Sequence, residues 1–147
     1  MIILRSATAA DQPCIEAVIH AAQINPIDLK WQHFTLAVDD ASGETVGTVQ
    51  IKTHSDGSRE LASLAVIPEW RGQGLARRLI EYRLAGTPGT LYLTCRDSLG
   101  VLYAKFGFRV IGVREMPPYF RRLSRVVALV RPFMRRGGKL LVMRRDG

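Results

Sequence analysis

The sequence has few of the residues that build covalent or metal-held frameworks. Two cysteines, Cys14 and Cys95, are too few for a disulfide scaffold and form no Cys-x-x-Cys pair. The three histidines, His20, His33 and His54, stand at no metal-ligand spacing, so no metal is expected. No apolar run approaches the roughly 18 residues of a membrane-spanning helix. The stretch "MIILRSATAADQ" has neither the basic start, the long apolar run nor the cleavage site of a signal peptide. Internal repeats are absent. What is left is the profile of a cytoplasmic protein held by an ordinary apolar core, with 47% hydrophobic and 23% charged residues. A chain of 147 residues can bury one such core, and a single domain over 1–147 is expected.

Acidic residues are scarce too, but only locally. The net charge is +8, yet residues 1–120 carry 12 Lys/Arg against 12 Asp/Glu. Residues 121–147 carry 9 against 1, so the whole excess lies in the last segment.

Apolar spacing and turn residues give an element order. "IILRSAT" reads as a strand, and Thr8 or Asp11 opens a helix in which Ile15, Val18 and Ile19 share a face. "NPIDLKWQHF" reads as a second short helix after the Asn25-Pro26 break. "TLAVDD" and "TVGTVQIKTH" flank a glycine-containing turn as a hairpin, and "SDGS" turns the chain into "RELASLAVIP". A helix over Leu75–Leu84 places Leu75, Ala76, Leu79, Ile80 and Leu84 on one side. Strand "LYLTC", short helix "SLGVLYAKF" and strands "FRVIGV" and "KLLVMR" complete a mixed α/β sheet of about seven strands with helices on its faces.

One stretch asks for a ligand. In "PEWRGQGLARRLI", two glycines among arginines immediately precede a helix. A helix start leaves its first N–H groups unpaired at the positive end of the dipole, a ready anion site. Gly72 and Gly74 let the backbone approach that anion without a Cβ between, while Arg71, Arg77 and Arg78 add charge.

This stretch resembles motif A of the GNAT superfamily of acetyl-coenzyme A-dependent N-acetyltransferases, Arg/Gln-x-x-Gly-x-Gly/Ala, met here by Arg71, Gly74 and Ala76. "ELASLAVIPEW" is similar to the family's fourth strand, and "LYAKFGF" to its motif B, with Tyr103 four residues ahead of Gly107-Phe108. The resemblance implies an α/β (α+β) fold with a mostly antiparallel sheet splayed at its centre. It implies that the coenzyme A diphosphate rests on Arg71, Gly72, Gln73, Gly74, Leu75, Ala76 and Arg77, chiefly on backbone amides. The pantetheine arm would pair with main chain at Leu64, Ala65 and Val66 like an added strand, and Val66 N–H would face the thioester oxygen. Where many relatives carry Asn seven residues before this tyrosine, the chain has Arg96.

Acetyl transfer to a small-molecule or peptide amine needs a neutral amine and a proton for the departing thiolate. A lysine-like amine, with a pKa of ~10.4, is neutral in about one molecule per thousand at a pH of about 7.4. By resemblance to the histone-acetylating branch, Glu60 is the candidate general base; Tyr103, in the stretch similar to motif B, is the candidate general acid. Other uses stay in view: Glu60 as a strand-end carboxylate paired with Arg59 or solvent, Tyr103 as a core residue. Cys95 is expected to pack; His54, at a strand end, can face the acceptor pocket, with surface exposure the favoured expectation.

The basic excess lies in "PPYFRRLSRVVALVRPFMRRGGK", which replaces what is usually a short connection in the family. A helix over 119–136 would place Phe120, Leu123, Val126, Val127, Val130, Phe133 and Met134 on one half. Arg121, Arg125, Arg131, Arg135 and Arg136 would take the other, with Arg122 on the apolar side and Pro132 as a kink. Its apolar half can pack on the sheet or on a second subunit in a homodimer, wall an acceptor site, or lie on anionic lipid as a peripheral membrane contact. Nucleic acid is not expected, because no recognition motif appears. The reading is an acetyltransferase. Its competitor is an acyl-coenzyme A-binding module of little or no activity whose basic helix makes membrane or protein contacts.

Overall fold

Residues 1–130 and 138–147 are described here from a computed structural model. The strands are β1 (Ile2–Ser6), β2 (Phe34–Asp39), β3 (Thr45–Thr53), β4 (Arg59–Val66), β5 (Thr90–Arg96), β6 (Arg109–Val110) and β7 (Leu140–Asp146). The helices are α1 (Gln12–Ala22), α2 (Leu75–Ala85), α3 (Gly100–Ala104) and α4 (Pro118–Val130). The strands form one seven-stranded sheet in the order β1-β2-β3-β4-β5-β7-β6. The pairs β1–β2, β2–β3, β5–β7 and β6–β7 are antiparallel, and β4 meets β5 in parallel at Glu60↔Tyr92. This is the mixed, mostly antiparallel α/β sheet flanked by helices that the sequence predicts. By internal contact the chain divides into two units, Met1–Lys52 with Leu61–Pro88, and Thr53–Glu60 with Gly89–Gly147.

In the first unit α1 and α2 cover opposite sheet faces. Ile15, Val18 and Ile19 of α1 pack against Phe34, Leu36, Val38 and Ala65. The next residue after Leu36, Ala37, points the other way and pairs with Gly47. A Cβ built on Gly47 would meet Leu79 Cδ1 of α2 at 3.0 Å and Ala65 O at 3.2 Å. Gly47 is therefore where α2 settles closely on the sheet. At the entry to α1, the Asp11 carboxylate accepts from Thr8 N–H at 2.7 Å and from both terminal nitrogens of Arg5 at 2.8 and 3.0 Å.

The expected helix over residues 25–34 does not form. Only Trp31–His33 makes a 3-10 turn, and Phe34 already belongs to β2. Asp28 adopts φ 59, which ends any right-handed helix there. The backbone groups a helix would have paired are taken by distant side chains. Gln12 donates to Leu29 O and accepts from Trp31 N, Gln50 donates to Asp28 O, and Lys52 donates to Ile27 O.

The second unit is built on the β5–β7–β6 ladder. Phe120, fully buried, joins Tyr92, Ile111, Met116 and Val142 in its core, so α4 is anchored through its first turn. Further along, Val126, Leu129 and Val130 are exposed. The expected strand "FRVIGV" shrinks to the two residues of β6, since Val113–Glu115 turn into a 3-10 segment. Cys95 is buried as expected. The expected continuation of α4 beyond Val130, with Arg131, the Pro132 kink, Phe133, Met134, Arg135 and Arg136, lies outside the described residues. No described helix is long and apolar enough to cross a membrane.

Candidate active site

The turn before α2 forms a cradle. Gly72 and Gly74 adopt φ 77 and 80, the left-handed region that a Cβ disfavours. A Cβ built on either would meet nothing within 4 Å, so both backbones border open space. Val66, Trp70, Arg71, Gly72, Gly74, Leu75 and Ala76 line a concavity of about 120 Å³ there. Gly74 is the N-cap of α2, and no side chain caps the N–H groups that follow. Leu75 is buried and pins the helix start. The concavity offers backbone donors, as a diphosphate requires, and its two glycines leave room for one to approach.

The arginines around it are partly committed. Arg71 Nε donates to Val66 O at 3.0 Å, and Arg77 pairs with Glu81 at 2.7 Å one helical turn on. Gln73 reaches back to Glu69 O at 3.5 Å. Arg71 still lines the concavity, beside the uncapped start of α2. On β4, Ala65 is buried in the α1 core while Leu64 and Val66 are half-buried. Ser63, just before them, adopts φ 55. Arg96, at the end of β5, is exposed.

Tyr103 stands on α3, with its ring edge-on to Phe108 at 6.3 Å between centroids. Gly107, at φ 90, turns the chain so that Phe108 N–H donates back to Tyr103 O at 3.3 Å. Burial, with the nearby Cys95 adding to it, pushes the phenol up to about 12. Against a thiol near ~8.5, complete proton transfer would then be uphill by roughly 5 kcal/mol. The hydroxyl is suited to donating a hydrogen bond, which tightens as charge develops on an acceptor.

Glu60 is largely covered, and the partner that holds it is His54. Its Oε1 lies 2.7 Å from His54 Nε2, and both side chains are less than a tenth exposed. The His54 side chain is thus nearly covered, against the favoured expectation of surface exposure. The reason is tertiary: the Tyr119 ring stacks on His54 at 3.5 Å and 11°, and the Phe120 ring meets it edge-on at 5.6 Å. Asp56 completes the cluster by accepting from Tyr119 N–H at 2.9 Å in the first turn of α4. The bond from Ser58 Oγ, aided by Tyr119 N–H, pulls the Asp56 carboxyl down to about 2. Among the described residues, the buried side-chain N and O atoms without a partner are Thr35 Oγ1, Gln50 Oε1 and Arg83 Nε. Glu60 Oε2 is not one of them and accepts no bond from a described residue, so it keeps contact with solvent.

Asp56 and Tyr119 were not legible as site residues in the sequence, and His54 only as the less favoured of two readings. A partial signal existed. The "SDGS" turn closes with His54 N–H on Ser58 O, which brings Glu60 within diagonal reach of His54 across the hairpin. Nothing local announced Tyr119. Among the described residues no group of His, Cys, Asp and Glu side chains could hold a metal ion.

No curated relative matches the chain in sequence. Among solved structures, N-acetylglutamate synthase from Neisseria gonorrhoeae, complexed with coenzyme A and N-acetyl-glutamate, is 21% identical with a TM-score of 0.77. The match covers 99% of this chain and 35% of that one, so this chain spans about a third of its length. Rv2747 from Mycobacterium tuberculosis, in complex with CoA, is 18% identical with a TM-score of 0.74 and 99% coverage of both chains. The ribosomal-protein-S18-alanine N-acetyltransferase from Escherichia coli is 18% identical with a TM-score of 0.71, covering 99% of this chain and 94% of that one. At such identities the likeness speaks to the fold. The family model for the acetyltransferase (GNAT) domain matches residues 30–110, more than half of the sequence and all of the strand, turn and helix that make the cradle. On that match, the chain belongs to the GNAT acetyltransferase family.

Proposed function

We propose that the chain is an N-acetyltransferase that moves an acetyl group from acetyl-coenzyme A directly to a primary amine within one ternary complex. The observation that carries this reading is the open cradle at Gly72–Gly74, where positive-φ backbone meets free space beside uncapped helix N–H groups. Structural neighbours solved with coenzyme A, and one named as an N-acetyltransferase, support it. The donor supplies an acyl group activated as a thioester. Backbone amides from Gly72 to Ala76 bind its diphosphate, with Arg71, Gln73 and Arg77 auxiliary, and main chain at Leu64, Ala65 and Val66 aligns the pantetheine arm. Glu60, held through Oε1 by His54, takes a proton from the amine at Oε2. Tyr103 donates a hydrogen bond to the sulfur as a C–N bond replaces the C–S bond.

A second reading, an acyl-coenzyme A-binding module with little turnover, is favoured by one feature. Val126, Leu129 and Val130 lie exposed on a helix that also exposes Arg122 and Arg125. A thiol-release assay over a panel of amines, with acetylated products read by mass, separates the two. Turnover on any amine supports the enzyme. Coenzyme A binding without turnover across the panel supports the module, and sedimentation with anionic vesicles then reports whether α4 is its contact.

A further inference from the structure

A row of buried polar side chains on β3 has no part in the reading above. Thr48, Gln50 and Lys52 alternate along the strand and so project from one face. Gln50 is paired with Phe34 and Thr48 with Leu36, which puts the row on the same face as the α1 core. There Thr48 and Gln50 are fully buried and Lys52 is 7% exposed. Polar groups so placed are costly unless hydrogen-bonded. Thr48 is satisfied, donating to Ser63 O at 2.9 Å. Gln50 is satisfied only by half: Nε2 donates to Ser63 Oγ at 2.7 Å and to Asp28 O at 3.2 Å, while Oε1 is sealed without a partner. Lys52 has three N–H donors. Among the described residues its Nζ donates to one acceptor, Ile27 O at 3.1 Å, and meets no carboxylate.

The two carbonyls that hold Gln50 and Lys52 come from the segment between α1 and β2. Its side chains lie outside, with Ile27 67% exposed and Asp28 exposed as well, while the carbonyls of both residues reach inward. Ser63 immediately precedes Leu64–Val66, the strand read above as the pantetheine partner. Through its bond to Ser63, Gln50 stands beside the start of that stretch.

We propose that Lys52, Gln50 and Ser63 form a subsite for the carboxylate of an amino acid acceptor, covered by residues 25–30 as a lid. Lys52 Nζ and Gln50 Nε2 exchange the carbonyls of Ile27 and Asp28 for carboxylate oxygens. The exchange gives a desolvated cation an anionic partner in place of a neutral one, the stronger kind of hydrogen bond. Gln50 Oε1 gains the donor it lacks from an N–H of the acceptor. This inference names the acceptor class of the proposed transfer and rests on that reading, but the binding test does not require turnover.

The full chain, saturated with coenzyme A, is titrated calorimetrically with L-alanine, L-leucine, L-glutamate and L-lysine, each against its own α-carboxamide. At least one acid is expected to bind about tenfold or more tightly than its amide. Lys52→Met should erase that gap, while Lys52→Arg keeps part of it. Equal binding of acid and amide across the panel, binding by neither, or an unchanged gap in Lys52→Met overturns the subsite. Should Lys52→Met fail to fold, the wild-type comparison alone decides. Acid-selective binding with no acetylation of any amine leaves the subsite and removes the enzyme. Acetylation of amines with no preference for acids does the reverse.

Discussion

Glu60 Oε1 and His54 Nε2 lie 2.7 Å apart, each side chain nearly sealed, with the Tyr119 ring laid flat on the imidazole. One carboxylate oxygen is thereby held while the other keeps solvent contact, a geometry suited to a carboxylate that must meet an incoming proton. Glu60→Gln is expected to lower kcat about 10²-fold or more and leave coenzyme A affinity unchanged. Equal turnover would take Glu60 out of the mechanism. His54→Leu leaves the carboxylate one donor short and should cost about 1–3 kcal/mol of stability, read by urea denaturation.

Gly74 is the sharpest probe of the cradle. Its φ of 80 disfavours any Cβ, and the added side chain would project into the open concavity. Gly74→Val should cost about 1–3 kcal/mol in strain and abolish coenzyme A binding by calorimetry. Wild-type affinity in a folded Gly74→Val protein would sink the cradle as the cofactor site.

Tyr103→Phe should cut turnover while cofactor affinity holds. The phenol, raised to about 12 in the folded chain, starts from an unfolded value of ~10. Its contribution to stability is therefore fully present below a pH of about 10 and is lost as pH rises from about 10 to about 12. Ultraviolet titration of the wild type against Tyr103→Phe should show one tyrosine ionising late. If no late-titrating phenol disappears in the variant, the burial argument fails.

At the other end of the scale, Arg5 and then Thr8 hold the Asp11 carboxyl down to about 2. A depressed carboxylate stabilises the fold above the ordinary range and loses that contribution as pH falls from about 4 to about 2. Melting temperatures recorded across that window should drop for the wild type, with a shallower acid limb in Asp11→Asn. Identical acid limbs would mean that the Arg5–Asp11 pair adds nothing.

Gly47→Val tests how closely α2 must approach the sheet. The new side chain would run into Leu79 and the Ala65 carbonyl, and overpacking of this kind costs about 1–3 kcal/mol. Because Leu75 and Leu79 fix the helix that carries the cradle, coenzyme A affinity should fall together with the melting temperature. A loss of stability with intact affinity would show that the cradle tolerates a shifted helix.

Much of this was legible before any coordinates. Apolar spacing placed α1 and α2 to within a residue or two, because Ile15, Val18, Ile19, Leu75, Leu79 and Ile80 repeat at the helical period along contiguous chain. The cradle was legible for a similar reason: two glycines just before a helix are a local statement about φ and about uncapped N–H groups. Residues 25–34 misled because their local pattern suits a helix, whereas Gln12, Gln50 and Lys52 take the backbone groups from elsewhere in the chain. His54 looked like a surface residue because the ring that covers it, Tyr119, is 65 positions away in sequence.

The sequence alone determined the order of the strands, the helices α1 and α2, the family, and a glycine turn ahead of α2, since all of these depend on neighbours along the chain. Only the tertiary structure decided which polar side chains meet: His54 with Glu60, Asp56 with the start of α4, and Lys52 with the Ile27 carbonyl. A hydrogen bond needs its partners within about 3 Å, and that proximity is set by how strands pair and helices pack, not by the identity of adjacent residues.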